Sequence, residues 1–280
     1  MQKIKLNYWA GHKNFGDELS PYLVKKITGK EVVHAGQKDL DKLIALGSII
    51  DFNNIYSRSH IWGSGVLAKD FISPYRLLPF SKIFRKNHFR SKVHATRGPL
   101  SRRVLEQLKF NCPEIYGDPG ILIPRFYTPQ NKNKNFKFGL ILHQTHAVFI
   151  PQELTNFESE NIKIISIDRE GDQGVESFLD EVCACDFIFS TSLHGIIVAQ
   201  AYGIPAQWLK FKSLSIHRDD GFKFKDYFMG VNQEVQKPFV INSLNEEAIN
   251  LLIKFNFKKS EEISDGGILL KAFPKEFLGV

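Results

Sequence analysis

Short apolar runs that end in small or hydroxyl residues alternate with helical segments along most of this chain. That alternation restricts the fold more than any other feature. KIKLNYW (residues 3–9), LIALGSII (43–50), HIWGSGV (60–66) and KVHATRG (92–98) read as strands, the middle two as fully buried ones. PYLVKKITG (21–29) reads as a helix, with Ser20 as its cap, Pro21 at its first position and Gly29 as its stop. SRRVLEQLK (101–109) is a second helix, and EIYGDPGIL returns to a strand and turn. A polar, proline-bearing linker, TPQNKNKN (128–135), follows. The pattern then restarts with strands FKFGLILH and NIKIISI. Helix VESFLDEVCAC carries Val175, Phe178, Leu179 and Val182 on one face, and strand DFIFSTS, helix LHGIIVAQAYG and strand IPAQWLK complete the second half. Strands alternating with helices imply parallel sheets with crossover helices. The expected fold is therefore α/β: two Rossmann-like domains, residues 1–127 and 136–280, facing a cleft outside the carboxyl ends of their strands.

Composition narrows the function. At 280 residues and 43% hydrophobic, the chain can build one or two cores. Its three cysteines, Cys112, Cys183 and Cys185, form no CxxC or Cys/His zinc spacing, which points to a reducing compartment. HExxH, GxSxG and P-loop signatures are missing, and no metal-ligand set is visible. The opening MQKIKLNYW lacks the apolar core of a signal peptide, and no 18-residue apolar stretch exists. The net charge of +7 is uneven: residues 71–110 hold ten Lys/Arg and one acid, Glu106. Such an excess suits a phosphorylated small molecule, an anionic lipid surface or a nucleic acid. The last is not expected, because no nucleic-acid-binding signature accompanies the charge.

Candidate site residues sit where strands run into helices. In FIFSTSLHGIIVAQAYGIPA (187–206) a strand ends in Ser190, Thr191 and Ser192, and His194 lies in the first turn of the next helix. Free N–H groups at a helix start favour an anion, nearby hydroxyls can donate to it, and Gly195 permits close approach. Equally, Ser192 can simply cap the helix and His194 satisfy a local bond. Arg97 ends a strand and can clamp a phosphate or carboxylate, or be one more surface cation. His143 closes FKFGLILH at the cleft end, and WGSGV (62–66) allows backbone approach without the dinucleotide fingerprint. Asn14 and Asp17, after the first strand, can bind sugar hydroxyls or form a capping turn. RDDGFKFKDYF (218–228), with Arg218, Lys223 and Lys225, can close over the cleft or be a charged loop.

Six segments taken in order carry a resemblance: NFGDELSPYLV, IALGSII, IWGSGV, ATRGPLSRRVL, IYGDPGILIPRFY and STSLHGIIVAQAYGIPA. They resemble the polysaccharide pyruvyl transferase family, and most closely its xanthan-type, ketal-forming members. The resemblance implies a GT-B-like pair of domains and no cofactor. It also implies phosphoenolpyruvate as donor and a sugar of a lipid-linked saccharide as acceptor. Many members carry Arg before the Leu-His pair, where this chain has Ser192. The donor's anions then need other cations, with Arg97, Arg218, Lys223 and Lys225 as candidates.

On this reading His194 is the general acid. The donor is held by Arg97, Ser190, Ser192, Gly195, His143 and Lys223, the acceptor by Asn14 and Asp17, and no metal takes part. The alternative keeps the fold and changes the donor to a nucleotide sugar, as in GT-B glycosyltransferases. A lipid-linked acceptor also implies work at the inner face of the cytoplasmic membrane. Residues 71–92 carry six Lys/Arg and no acid among aromatic and aliphatic side chains, a composition suited to an anionic leaflet.

Overall fold

The computed structural model describes residues 3–55, 57–68, 91–130, 133–147, 161–212, 220–257 and 262–278. Arg218 and residues 71–90 of the basic segment lie outside the described residues. The first half contributes β1 (Ile4–Asn7), β2 (Val32–His34), β3 (Leu43–Ile44), β4 (His60–Trp62) and β5 (Lys92–Ala95), in the spatial order β2-β1-β3-β4-β5. The second contributes β6 (Phe136–Ile141), β7 (Ile162–Ile165), β8 (Cys185–Ser190), β9 (Ala206–Phe211) and β10 (Phe239–Ile241), in the order β10-β9-β8-β6-β7. Every pairing described in both sheets is parallel. Counted from its own first strand, each sheet runs 2-1-3-4-5, so the chain builds the same Rossmann-like unit twice. In such sheets the strand order reverses between the first and third strands, and ligands bind outside the carboxyl ends at that point. Here the two reversals fall between β1 and β3, and between β6 and β8.

Helices α1 (Phe15–Thr28), α2 (Pro99–Gln107), α3 (Gly171–Cys183), α4 (Leu193–Ala201), α5 (Asp220–Gly230), α6 (Glu246–Ile253) and a short α7 (Gly267–Lys271) accompany the strands; α1, α3, α4 and α5 are crossovers within a sheet. Helix α1 starts six residues before the position expected from Pro21. The cap is Asn14, whose side-chain oxygen accepts from the Gly16 N–H at 2.9 Å. Asp17 and Glu18 in the first turn and Lys25 and Lys26 in the last turn match the helix dipole, and Gly29 closes the helix at φ 65°. Pro21 therefore sits inside the helix, at the loss of one backbone bond. The expected strand after residue 114 shrinks to a single bridge, Thr96 to Tyr116, and a 3-10 helix over Pro119–Arg125 follows. Residues 220–230 form α5 rather than a loop.

One continuous hydrophobic cluster spans both halves, from Leu6, Phe15 and Leu23 through Ile121 and Leu122 to Phe178, Ile196 and Ile197. Phe15 of α1 stacks on Phe178 of α3 with ring centroids 3.7 Å apart, and Tyr22 donates to Glu176 at 2.8 Å. The starts of α1 and α4 are fixed relative to each other by this shared core. Two later stretches reach back to the first sheet. Phe222 of α5 packs among Ile44, Ile50 and Leu105, and the Trp62 indole donates to the Leu269 carbonyl at 2.8 Å.

Candidate active site

The two strand-order reversals bring α1 and α4 together, and His194 is where they touch. Its ring lies against Gly16: a Cβ added at Gly16 would stand 2.3 Å from His194 Nδ1. Only glycine admits the imidazole here, which is a physical reason for the Gly-Asp pair after Asn14. On the other side His194 Nε2 lies 3.8 Å from Asp118 Oδ2. Both atoms are buried, and among the described residues neither has a hydrogen-bond partner, although buried polar groups are nearly always paired. The other oxygen of Asp118 is used, accepting from the Gly120 N–H at 3.0 Å.

Electrostatics set these groups apart. Burial, with Lys223, Arg97 and His143 nearby, pushes the His194 pKa down to about 3. Burial pushes Asp118 up to about 6 despite the Gly120 bond and Arg97. His194 is thus a neutral imidazole at neutral pH, surrounded by cations that resist its protonation. Asp17, in the same first turn as Gly16, is raised to about 7 by burial and by Glu18. Among the described residues its carboxyl has no hydrogen-bond or ion-pair partner, so it too is ready to exchange a proton near neutrality.

The turn from β8 into α4 is built by Ser190 and Thr191. The Ser190 hydroxyl donates to the Ser192 carbonyl at 2.8 Å and accepts from the Ser192 N–H at 3.0 Å. Gly195 gives it room, since a Cβ there would stand 2.4 Å from Ser190 Oγ. Thr191 accepts from the His143 N–H at 2.7 Å, tying the ends of β6 and β8. Ser190 and Gly195 therefore shape the turn. Ser192 stands at the cap position in extended backbone, but its side chain makes no cap bond. The hydroxyl and the first N–H groups of α4 are left available to an anion. His143 and Lys223 are both close enough to depress His194.

Arg97 is not the exposed clamp that its position suggests. It is fully buried, and its donors are occupied by Asp226 Oδ2 at 3.0–3.1 Å, Ser48 Oγ at 2.6 Å and the Val66 carbonyl at 2.9 Å. Gly65 of WGSGV makes space for that guanidinium rather than for a ligand: a Cβ there would stand 2.3 Å from Arg97 Cζ. Asp226 also accepts from the backbone N–H groups of Leu100 and Ser101 and from the Ser101 hydroxyl. One carboxylate thus caps α2, neutralises Arg97 and fixes α5, which presents Lys223 one turn earlier. Part of the basic excess is likewise met within the chain, with Lys92 on Glu276 and Arg102 on Glu106 and Glu114. Asn14 spends its side-chain oxygen on the α1 cap. Asp118 and Asp226 had no role assigned from sequence. The signal for Asp118 was a carboxylate set in the apolar stretch IYGDPGILI; Asp226 had none, since its partners are over a hundred residues away.

A sequence model of the polysaccharide pyruvyl transferase family matches residues 5–209, covering all of the site elements except α5. An uncharacterised protein of Acanthamoeba polyphaga mimivirus is 24% identical over 261 residues, covering 91% of this chain and 84% of its own. A solved structure of a functionally uncharacterised protein from Klebsiella pneumoniae subsp. pneumoniae is similar in fold. It has a TM-score of 0.50 and 14% identity, over 85% of this chain and 92% of that one. With the family match running through both Rossmann-like units and the residues that meet at His194, this chain belongs to the polysaccharide pyruvyl transferase family.

Proposed function

We propose that the protein transfers the pyruvyl group of phosphoenolpyruvate to two hydroxyls of one sugar in a lipid-linked saccharide, forming a ketal and releasing phosphate. The observation that carries the reading is the unpartnered pair Asp118 Oδ2 and His194 Nε2, 3.8 Å apart at the meeting of α1 and α4. The donor's phosphate and carboxylate bind at the open start of α4, by Ser192, with Lys223 and His143 beside it. Those anions offset the cations that hold His194 neutral and raise its proton affinity, so the filled site arms its own acid. A proton passes from His194 to the methylene carbon, and positive charge develops on the adjacent carbon. One sugar hydroxyl attacks that carbon, giving its proton to a carboxylate for which Asp17 is the candidate. Phosphate leaves with the C–O bond electrons, and the second hydroxyl closes the ring, giving its proton to the departing phosphate.

Asp118 orients the imidazole and stabilises its charged form. Arg97 acts as a positioning residue through Asp226. The acceptor enters on the α1 side, near Asn14 and Asp17, and residues 71–92 supply the contact with an anionic membrane. The test is to incubate the protein with phosphoenolpyruvate and lipid-linked saccharides. Phosphate release that requires the saccharide, with a mass gain of one pyruvylidene group, supports the reading. Sugar transfer from a nucleotide sugar, with phosphoenolpyruvate inert, overturns it.

A further inference from the structure

We propose that His60, His94 and Glu276 form a binding site for a divalent transition metal of the zinc class, separate from the cleft. His60 opens β4 and His94 lies in the neighbouring β5, so parallel pairing sets their rings side by side, at 10° to each other. Nδ1 of His60 and Nε2 of His94 are 3.0 Å apart. Glu276, on the 3-10 turn Lys275–Phe277, brings Oε2 to 4.0 Å from His60 Nδ1. All three ligand atoms lie within 4.8 Å of one another. Two nitrogens on a tetrahedral zinc, each at about 2.0–2.1 Å, stand roughly 3.3 Å apart. The histidine pair is already near that spacing, and the carboxylate must close by roughly 1–1.5 Å to join it. Its side chain is 46% exposed and free to make that movement.

The surroundings are those of a metal site. Oε1 of Glu276 accepts from Lys92 Nζ at 2.7 Å, which leaves Oε2 for the ion. The Phe277 ring stands edge-on to His60 at 5.2 Å and covers one side. A surface cavity reaches His60 and Glu276 from outside; Asp41 borders it, as do Lys3, Lys5 and Lys30, so the three side chains have to bind the ion against that positive lining. Imidazole and carboxylate together suit zinc and its neighbours rather than calcium or magnesium. The spacing 60, 94 and 276 is too wide to show as a sequence motif. A bound ion would clasp the C-terminal turn to the first sheet.

The test uses the full chain, free of any affinity tag and stripped with a chelator, titrated with zinc ion by calorimetry and thermal melting. One tight equivalent per chain is expected, with a Tm that climbs with zinc concentration. Glu276→Gln, at an exposed side chain that the core does not need, and His94→Ala should each weaken binding at least about tenfold. His143→Ala should leave it unchanged. No zinc binding by the wild type, or wild-type affinity in Glu276→Gln and His94→Ala, would overturn the site and leave a plain His–His hydrogen bond.

Discussion

His194 Nε2 and Asp118 Oδ2 face each other at 3.8 Å with no other partner among the described residues, one from each half of the chain's duplicated architecture. That gap is too long for a hydrogen bond and short enough to close when the imidazole gains a proton. The two side chains then act as a unit. His194→Ala should lower turnover by about 10²- to 10⁴-fold with the fold intact by circular dichroism. Adding Asp118→Asn to it should cost little more than His194→Ala alone. Additive losses in the double variant would separate the two roles.

Gly16 tests the same contact from the other side. A methyl group there meets His194 Nδ1 at 2.3 Å, so Gly16→Ala should displace the ring. Alanine suits a helix interior better than glycine, so helix content should not fall. Turnover should drop at least about tenfold while far-ultraviolet circular dichroism stays unchanged. Wild-type turnover in Gly16→Ala would show that the imidazole position does not matter.

Arg97 and Asp226 make a different prediction, one of stability. Removing one partner of a fully buried pair typically costs about 3–5 kcal/mol. Arg97→Met and Asp226→Leu should each lower Tm steeply, and the double change should recover only the part due to the unpaired charge, because the Leu100 and Ser101 N–H groups still lose their acceptor. Arg97→Lys should rescue little, since an ammonium cannot reach Asp226, Ser48 and Val66 together. Thermal melts of the wild type and the four variants decide this.

The fold was legible because buried parallel strands and their crossover helices leave a strong pattern in sequence. DFIFS, LHGIIVAQA and VESFLDEVC each form the element their periodicity implies. The start of α1 was misplaced because Pro21 is a louder signal than the Asn14 cap. His194 stands out in sequence by its place after a strand, and the structure sets its ring between Gly16 and Asp118. Arg97 was legible as an important cation but not as a buried one, because Asp226 approaches it from 129 residues away. Gly65 reads as ligand-approach glycine for the same reason: the atom it makes room for is contributed by the chain itself.

Asp17 has a pH signature. Its pKa rises from 3.8 in the free side chain to about 7 in the fold. Between those values the folded chain holds a proton that the unfolded chain has released, so this group makes stability fall as pH rises through the window. Asp17→Asn does not titrate. Its stability relative to wild type should therefore grow from pH 4 toward about 7, measured by urea melts at each pH. A constant difference across that range would place Asp17 in water.

The central claim is that the site between α1 and α4 takes phosphoenolpyruvate. Calorimetric titration of that compound, beside a panel of nucleotide sugars, tests it most directly. The account predicts one saturable phosphoenolpyruvate site per chain. Lys223→Gln should weaken it about tenfold, equivalent to about 1.4 kcal/mol, with the nucleotide sugars silent. Tight binding of a nucleotide sugar with no heat from phosphoenolpyruvate would contradict it.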